Sequence, residues 1–413
     1  MRPFFVLLFA VFAFAARAAS PSVISRWVQM GPGGLAEARA ITRSSTCPAA
    51  SFDGVAVAMQ PRAAPDAKFS VLVCSVSLPA TLQHLTVGGD PLPVPKSAPR
   101  RILVIGDTGC RIKGIFIQNC NDPAAWPFPR AAVEASKLKP DLIIHVGDYL
   151  YRETACPDGD GRCTGSPSGD SWPAWAADFF VPGKPLLEAA PWVIVRGNHE
   201  DCERAGAGFI RLLGPLAWHA GQPCIDHLAP YTVPIGGSDL IVMDNASAPD
   251  RAPSADLEKT YRADFAMLPR LANRPSWLVM HHPIWGVVTL GLGFVTGGNS
   301  TLMDAEDATA LPPAIDLMLA GHIHAFEAIN YGGGLPPQLI VGEGGDLLDD
   351  APADLGGQSI GNAKVANGLS IPGFGYILLT KNGEDWRAEV FDASGARERS
   401  CDVAHRRIVC AKA

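Results

Sequence analysis

The chain has 413 residues, 47% of them apolar, with 34 Lys and Arg set against 41 Asp and Glu for a formal charge of −7. That acidic balance excludes a dedicated nucleic-acid binder, which needs a basic surface for phosphate contacts. The length allows one large core and one small one, and the 42 Gly and 36 Pro point to many turns and long connections rather than disorder.

In chain order, Arg2 comes first and precedes an uninterrupted apolar run from Phe4 to Ala16; Ala16-Arg17-Ala18 then offers a small-x-small cleavage pattern. The run is short for a bilayer span and is followed by polar sequence, so residues 1–18 read as a removed signal peptide rather than a retained anchor. Losing Arg2 and Arg17 with it takes the formal charge from −7 to −9. No later stretch is apolar for long enough to span a membrane. The mature chain is therefore expected to be exported, either periplasmic or secreted. The ten cysteines fit this: their number is even, no Cys-x-x-Cys pair suggests a zinc cluster, and read in order they form five short-range couples. Their connectivity stays open.

Residues 19–98 read as a separate small β domain. Gly54–Met59 and Phe69–Val76 alternate with the period of half-buried strands, and nothing there has a helical period. The proline-rich stretch Pro91–Pro99 reads as a stiff linker. From Arg101 the pattern becomes α/β, with short aliphatic strands that each end in glycine or histidine and then a polar residue. Arg101–Ile105 runs into Gly106-Asp107, Leu142–Val146 into Gly147-Asp148, and Trp192–Arg196 into Gly197-Asn198-His199. Trp277–Met280 runs into His281-His282, and Ile315–Ala320 into Gly321-His322-Ile323-His324, its last residues possible helix. Such runs suit strands buried on both faces, with Pro129–Lys139 and Leu257–Leu271 as helices between them. Ligands of open α/β sheets bind beyond the carboxyl ends of the strands, so this layout gathers Asp107, Asp148, Asn198, His281, His322 and His324 in one place. Singly each is a common turn or core residue; in this order, each at a strand end, they form a metal-binding constellation.

The ordered set resembles the metallophosphoesterase superfamily over residues 101–346 or so. Most members carry Asp-x-His at the first motif. Here Asp107-Thr108-Gly109 lacks that histidine, while Gly147-Asp148-Tyr149-Leu150-Tyr151 adds a tyrosine three residues after the aspartate. That loss and gain are similar to the purple acid phosphatase branch, where a tyrosinate binds iron and a small β-sandwich precedes the catalytic domain. The resemblance implies an α/β (α+β) fold: a two-sheet sandwich flanked by helices over residues 99–413, preceded by a β-sandwich over 19–98. It implies two metal ions, one on Asp107, Asp148, Tyr151 and His324, the other on Asp148, Asn198, His281 and His322, with Asp148 bridging.

Donor chemistry bears on which ions. Two carboxylates and a phenolate favour a hard trivalent ion, iron(III); a shared carboxylate, an amide oxygen and two imidazoles suit divalent zinc, iron or manganese. His281 is the expected ligand; its neighbour His282 faces the other way on a strand and is left to support the ligands or touch substrate. His199, between Asn198 and Glu200, can hydrogen-bond a phosphate oxygen or protonate a leaving alcohol, its alternative being a contact to Glu200. Arg196 is a further candidate for holding phosphate. The expected reaction is hydrolysis of phosphate monoesters by metal-activated water on a small phosphorylated substrate, with phosphodiesters or phosphoanhydrides as the alternative. The loops Glu153–Phe180 and Gly286–Pro312 are the expected pocket walls. A secreted binding protein on a dead scaffold and an iron-storing or electron-transfer protein are readings from other classes.

Overall fold

Two large β-sheets organise the chain in the computed structural model, which describes residues 22–249, 252–290, 294–307 and 310–411. The leader expected over residues 1–18 lies outside them. The central strands of the first sheet, Arg101–Ile105, Leu142–His145 and Trp192–Ile194, run parallel, in register Ile105↔His145 and His145↔Ile194. In the second sheet Asp239–Val242, Ser276–Val279 and Ile315–Ala320 are likewise parallel. Ile315–Ala320 is strand to its end; Met318, Leu319 and Ala320 pair with Gln338–Val341.

The aliphatic runs are buried on both faces, as their composition requires. Ile102 and Val104 point between the sheets, against Leu240, Val279, Leu317 and Leu319. Leu103 and Ile105 point outward, into a layer with Phe128, Ala131, Ala132 and Ala135 of helix Phe128–Lys137. The second sheet is covered on its outer face by helices Ala255–Phe265 and Ser300–Asp307 through Tyr261, Phe265, Leu302 and Ala305. The result is a two-sheet sandwich with helices outside. No helix among the described residues is long and apolar enough to cross a membrane.

The N-terminal region forms two packed β layers. Four strands, Val55–Ala58, Ala49–Phe52, Leu85–Val87 and Asp90–Leu92, make one layer. The other is the first large sheet itself: Val23–Met30 pairs in parallel with Trp192–Ile194, and Ala36–Thr42, Leu72–Ser77 and Gln60–Ala63 extend it to eleven strands. The boundary expected at residue 98 is thus not a break in the hydrogen bonding. Val28, Ala38, Leu72 and Val87 fill the space between the two layers. Arg39 and Arg62 reach the end of helix Gly206–Leu212, donating to the carbonyls of Leu212, Gly214 and Leu216 at 2.7–3.0 Å. Helix ends leave such carbonyls without partners, and cations there also meet the negative end of the helix dipole.

All ten cysteines are paired in sequence order: Cys47–Cys74, Cys110–Cys120, Cys156–Cys163, Cys202–Cys224 and Cys401–Cys410.

Candidate metal centre

The parallel register brings the strand ends of both sheets to one edge, and all of the ligand-bearing strands except Ser276–Val279, which runs into Met280-His281, turn off at a glycine. Asp107, Asp148 and His322 follow Gly106, Gly147 and Gly321 with φ of 54°, 60° and 70°, in the left-handed region that few side chains adopt. Such residues cost about 1–3 kcal/mol each and persist where their surroundings hold them. The glycines are needed because the chains touch. A Cβ on Gly147 would lie 2.4 Å from His281 Nδ1, and one on Gly197 would lie 2.1 Å from Asp148 Oδ1.

Four of the candidate ligands, Asp107, Asp148, His281 and His324, have one side-chain polar atom held by backbone and another aimed at a common centre. The His322 N–H donates to Asp107 Oδ2 at 3.0 Å, and the His199 N–H to Asp148 Oδ1 at 2.8 Å. His281 Nδ1 donates to the Val146 carbonyl at 2.8 Å, and His324 Nδ1 to that of Leu347 at 2.6 Å. The remaining atoms form two groups. Tyr151 Oη lies 3.0 Å from Asp107 Oδ1, 2.8 Å from Asp148 Oδ2 and 3.1 Å from His324 Nε2. His281 Nε2 lies 2.9 Å from Asn198 Oδ1 and 3.3 Å from Asp148 Oδ2, while His322 Nδ1 is 3.2 Å from the same Asn198 oxygen. Asp148 Oδ2 belongs to both groups.

These groups fit two cations. A single phenol proton cannot satisfy both carboxylate oxygens around Tyr151, Asp107 Oδ1 and Asp148 Oδ2. The Asn198 oxygen faces only acceptors, so in a purely hydrogen-bonded site its amide would turn over; a cation removes the conflict. The potential points the same way. Burial lowers the pKa of His281 and His324, but Asp148 for the first and Asp346 for the second outweigh it, holding them at about 9 and about 10. Burial, then Asp107 and Asp148, push the Tyr151 phenol well up. A bound trivalent ion reverses that logic and takes the proton off outright.

The sequence left several supporting residues unmarked. Glu200 does not contact His199 through its carboxylate; it accepts the N–H groups of Asp148, Tyr149, Leu150 and Gly197 at 2.9–3.2 Å and so shapes the Asp148 loop. Asp178, fully buried, accepts the Tyr151 N–H at 2.8 Å and pairs with Arg152. The partner of His199 is Glu153, whose Oε1 is 2.8 Å from Nδ1; Arg204 pairs with the same oxygen and donates to the Asn198 carbonyl. Burial raises the Glu153 carboxyl, but His199 and Arg204 outweigh it and leave it ionised well below the usual range. The His199 ring lies on Tyr151, centroids 3.8 Å apart. Arg111 sits over the Tyr151 ring at 5.1 Å and pairs with Asp346.

Seven candidate ligands and His199 are therefore brought together. His282 stands beside them: its ring is 4.0 Å from that of His322, and its Nδ1 is 3.0 Å from the Asn245 carbonyl. Arg196 is not brought in. Its guanidinium is buried against Asp244 at 2.7 Å and donates to the Ile225 carbonyl, which uses the fork proposed for phosphate. Nothing in the sequence marks Asp244, 48 residues on, as its partner.

Known proteins resemble this chain in sequence and in fold. The profile of the calcineurin-like phosphoesterase family matches residues 100–326. The chain is 23% identical over 317 residues to purple acid phosphatase 23 of Arabidopsis thaliana, covering 68% of this chain and 60% of that protein. It is 23% identical over 278 residues to purple acid phosphatase 15 of the same plant, with coverage of 62% and 47%. The chain thus spans less than two thirds of either relative. Among solved structures, a purple acid phosphatase from yellow lupin (Lupinus luteus) seeds superposes with a TM-score of 0.58 at 13% identity, covering 92% of this chain and 74% of that one. PhoD superposes with a TM-score of 0.55 at 11% identity, covering 96% and 93%. These likenesses show the shared fold.

Proposed function

The chain belongs to the calcineurin-like phosphoesterase family, and from that premise we propose that it is an exported acid phosphatase-like enzyme that hydrolyses phosphate monoesters. The observation that carries the reading is the pair of four-donor groups sharing Asp148 Oδ2. In this reading Asp107, Asp148, Tyr151 and His324 hold iron(III), and Asp148, Asn198, His281 and His322 hold a divalent zinc, iron or manganese ion. The five disulfides support an oxidising compartment.

Two such ions, when bound, neutralise a phosphoryl group and make a water acidic enough to attack phosphorus. The protein's own groups do the rest. Asp148 spans both positions and fixes their separation. Asn198 adds a neutral oxygen, so the second group stays less anionic than the first. Glu153 lies 2.8 Å from His199 Nδ1 and favours the imidazolium, whose Nε2 lies on the side of the shared carboxylate, 3.8 Å from Asp148 Oδ2. In that doubly protonated form the Nε2–H would give its proton to the departing alcohol oxygen and leave a neutral ring with its remaining proton on Nδ1, toward Glu153. His282, beside His322, is placed to hold a phosphate oxygen.

Turnover of a chromogenic phosphate monoester, with metal analysis of the same preparation, tests the reading. Hydrolysis with two ions per chain is expected, together with visible absorption that Tyr151→Phe bleaches without changing the circular dichroism. No hydrolysis by metal-replete protein sinks the phosphatase. A colourless, active, two-zinc protein sinks only the iron.

A further inference from the structure

The cage has an apolar lip. Large apolar side chains are normally exposed singly, yet five stand on loops that are linked to the cage: Ile115 (87% exposed), Phe116 (59%), Leu290 (55%), Leu347 (39%) and Leu348 (38%). Hydrogen bonds tie these loops to the cage and to each other. Ile115 and Phe116 tip the hairpin Ile112–Ile117, whose root is fixed to the Tyr151 carbonyl by the Ile112 N–H at 3.0 Å and closed by Cys110–Cys120. Lys113 of that hairpin pairs with Glu153, the partner of His199, at 3.0 Å. Arg111, next to the hairpin, pairs with Asp346, next to Leu347. The Leu347 carbonyl accepts from His324, and the Asp350 carbonyl accepts from the Thr289 N–H at 2.7 Å, which brings in Leu290.

We infer that this lip receives the alcohol part of the substrate, and that the substrate class is phosphate monoesters of apolar alcohols, alkyl or aryl. The inference rests on the phosphatase reading. If His199 protonates the leaving group, the ester oxygen faces His199, and from there the chain of contacts through Glu153 and Lys113 leads to Ile115 and Phe116. The cage fixes the phosphate end, so the apolar side chains at the rim have a defined occupant. Hydrolysis by water breaks the bond between phosphorus and the ester oxygen; the alcohol leaves with the proton and inorganic phosphate remains.

The test is the dependence of binding on chain length. Affinities of straight-chain alkyl phosphonates, ethyl to octyl and below their micelle concentrations, are measured by calorimetry on the metal-containing protein. Full burial of a methylene is worth about fourfold, and a lip open on one side should give about twofold per added carbon. The doubly substituted protein Phe116→Ser, Leu348→Ser should lose most of that slope while keeping its metal content and circular dichroism. A flat series, absent binding, or an equal slope in the variant overturns the inference. Adsorption to zwitterionic vesicles without any chain-length slope overturns it too and assigns the lip to surface docking. If the slope is present but the matching alkyl phosphates are not hydrolysed, the lip stands and the phosphatase reading falls.

Discussion

Asp148 and His199 lie side by side in the site but do different work, and substitution separates them. Asp148→Asn weakens the oxygen common to both donor groups, so metal and activity should disappear together. His199→Ala touches neither group except through its ring face. It should keep both metals and lose about 10²–10⁴ in kcat on esters of poorly acidic alcohols, and much less on activated aryl phosphates. An equal loss on both substrate types points instead to phosphate positioning; loss of metal means His199 supports a ligand. Glu153→Gln should resemble a weaker His199→Ala, because Nδ1 keeps an acceptor but loses the carboxylate. The residues that the structure gathers could be picked out in the sequence because all but Tyr151 follow an aliphatic strand at glycine or at the paired histidines; Tyr151 was marked only by the family resemblance. Glu153, Arg111, Arg204 and Asp346 were not, since they come from irregular loops where no period marks position. Arg196 looked available because charge in sequence says nothing about a partner far along the chain.

Gly147 and Gly197 show what a strand end must supply here. Gly197→Ala puts a methyl into the Asp148 carboxylate, so metal content should drop although no ligand is altered, while the sheet persists by circular dichroism. A metal-replete Gly197→Ala protein contradicts the packing described. Another element carries a pH dependence. His227 lies 2.7 Å from Asp264 of helix Ala255–Phe265, and that hydrogen bond raises its pKa despite burial. Its stabilisation is complete below the ordinary histidine value near 6.5 and is lost as pH rises through the raised one. The fall in unfolding free energy between pH 6 and 8 should therefore be shallower in His227→Gln, by under about 1 kcal/mol for a partly exposed pair. At this scale the sequence was readable wherever burial on both faces made strands continuous and apolar. The proline-rich stretch joins Asp90–Leu92 of the four-stranded layer to Arg101–Ile105 of the first large sheet, and nothing in its composition shows that Val23–Met30, before it, pairs with Trp192–Ile194, after it.

The molecule as a whole should behave as one cooperative unit. A chain starting at residue 99 would bare the edge of strand Trp192–Ile194 and leave the end of helix Gly206–Leu212 without Arg39 and Arg62. It is expected to be insoluble; a soluble, metal-binding fragment refutes that unity. Protein made through an oxidising compartment should show no titratable thiols when denatured without reductant. The sheet has a further consequence, in time rather than in space. Strand Arg101–Ile105 lies between Leu142–His145 and Gly375–Asn382, and the latter is followed outward by strands ending at Cys410. One neighbour thus follows within about forty residues and the other more than two hundred and seventy residues later, so the sheet cannot close until Gly375–Asn382 has emerged. Such long-range pairing makes folding slow. Until that late strand arrives, Arg101–Ile105 has one edge without a partner, so this part of a nascent chain stays open longer than a sheet built from consecutive strands would.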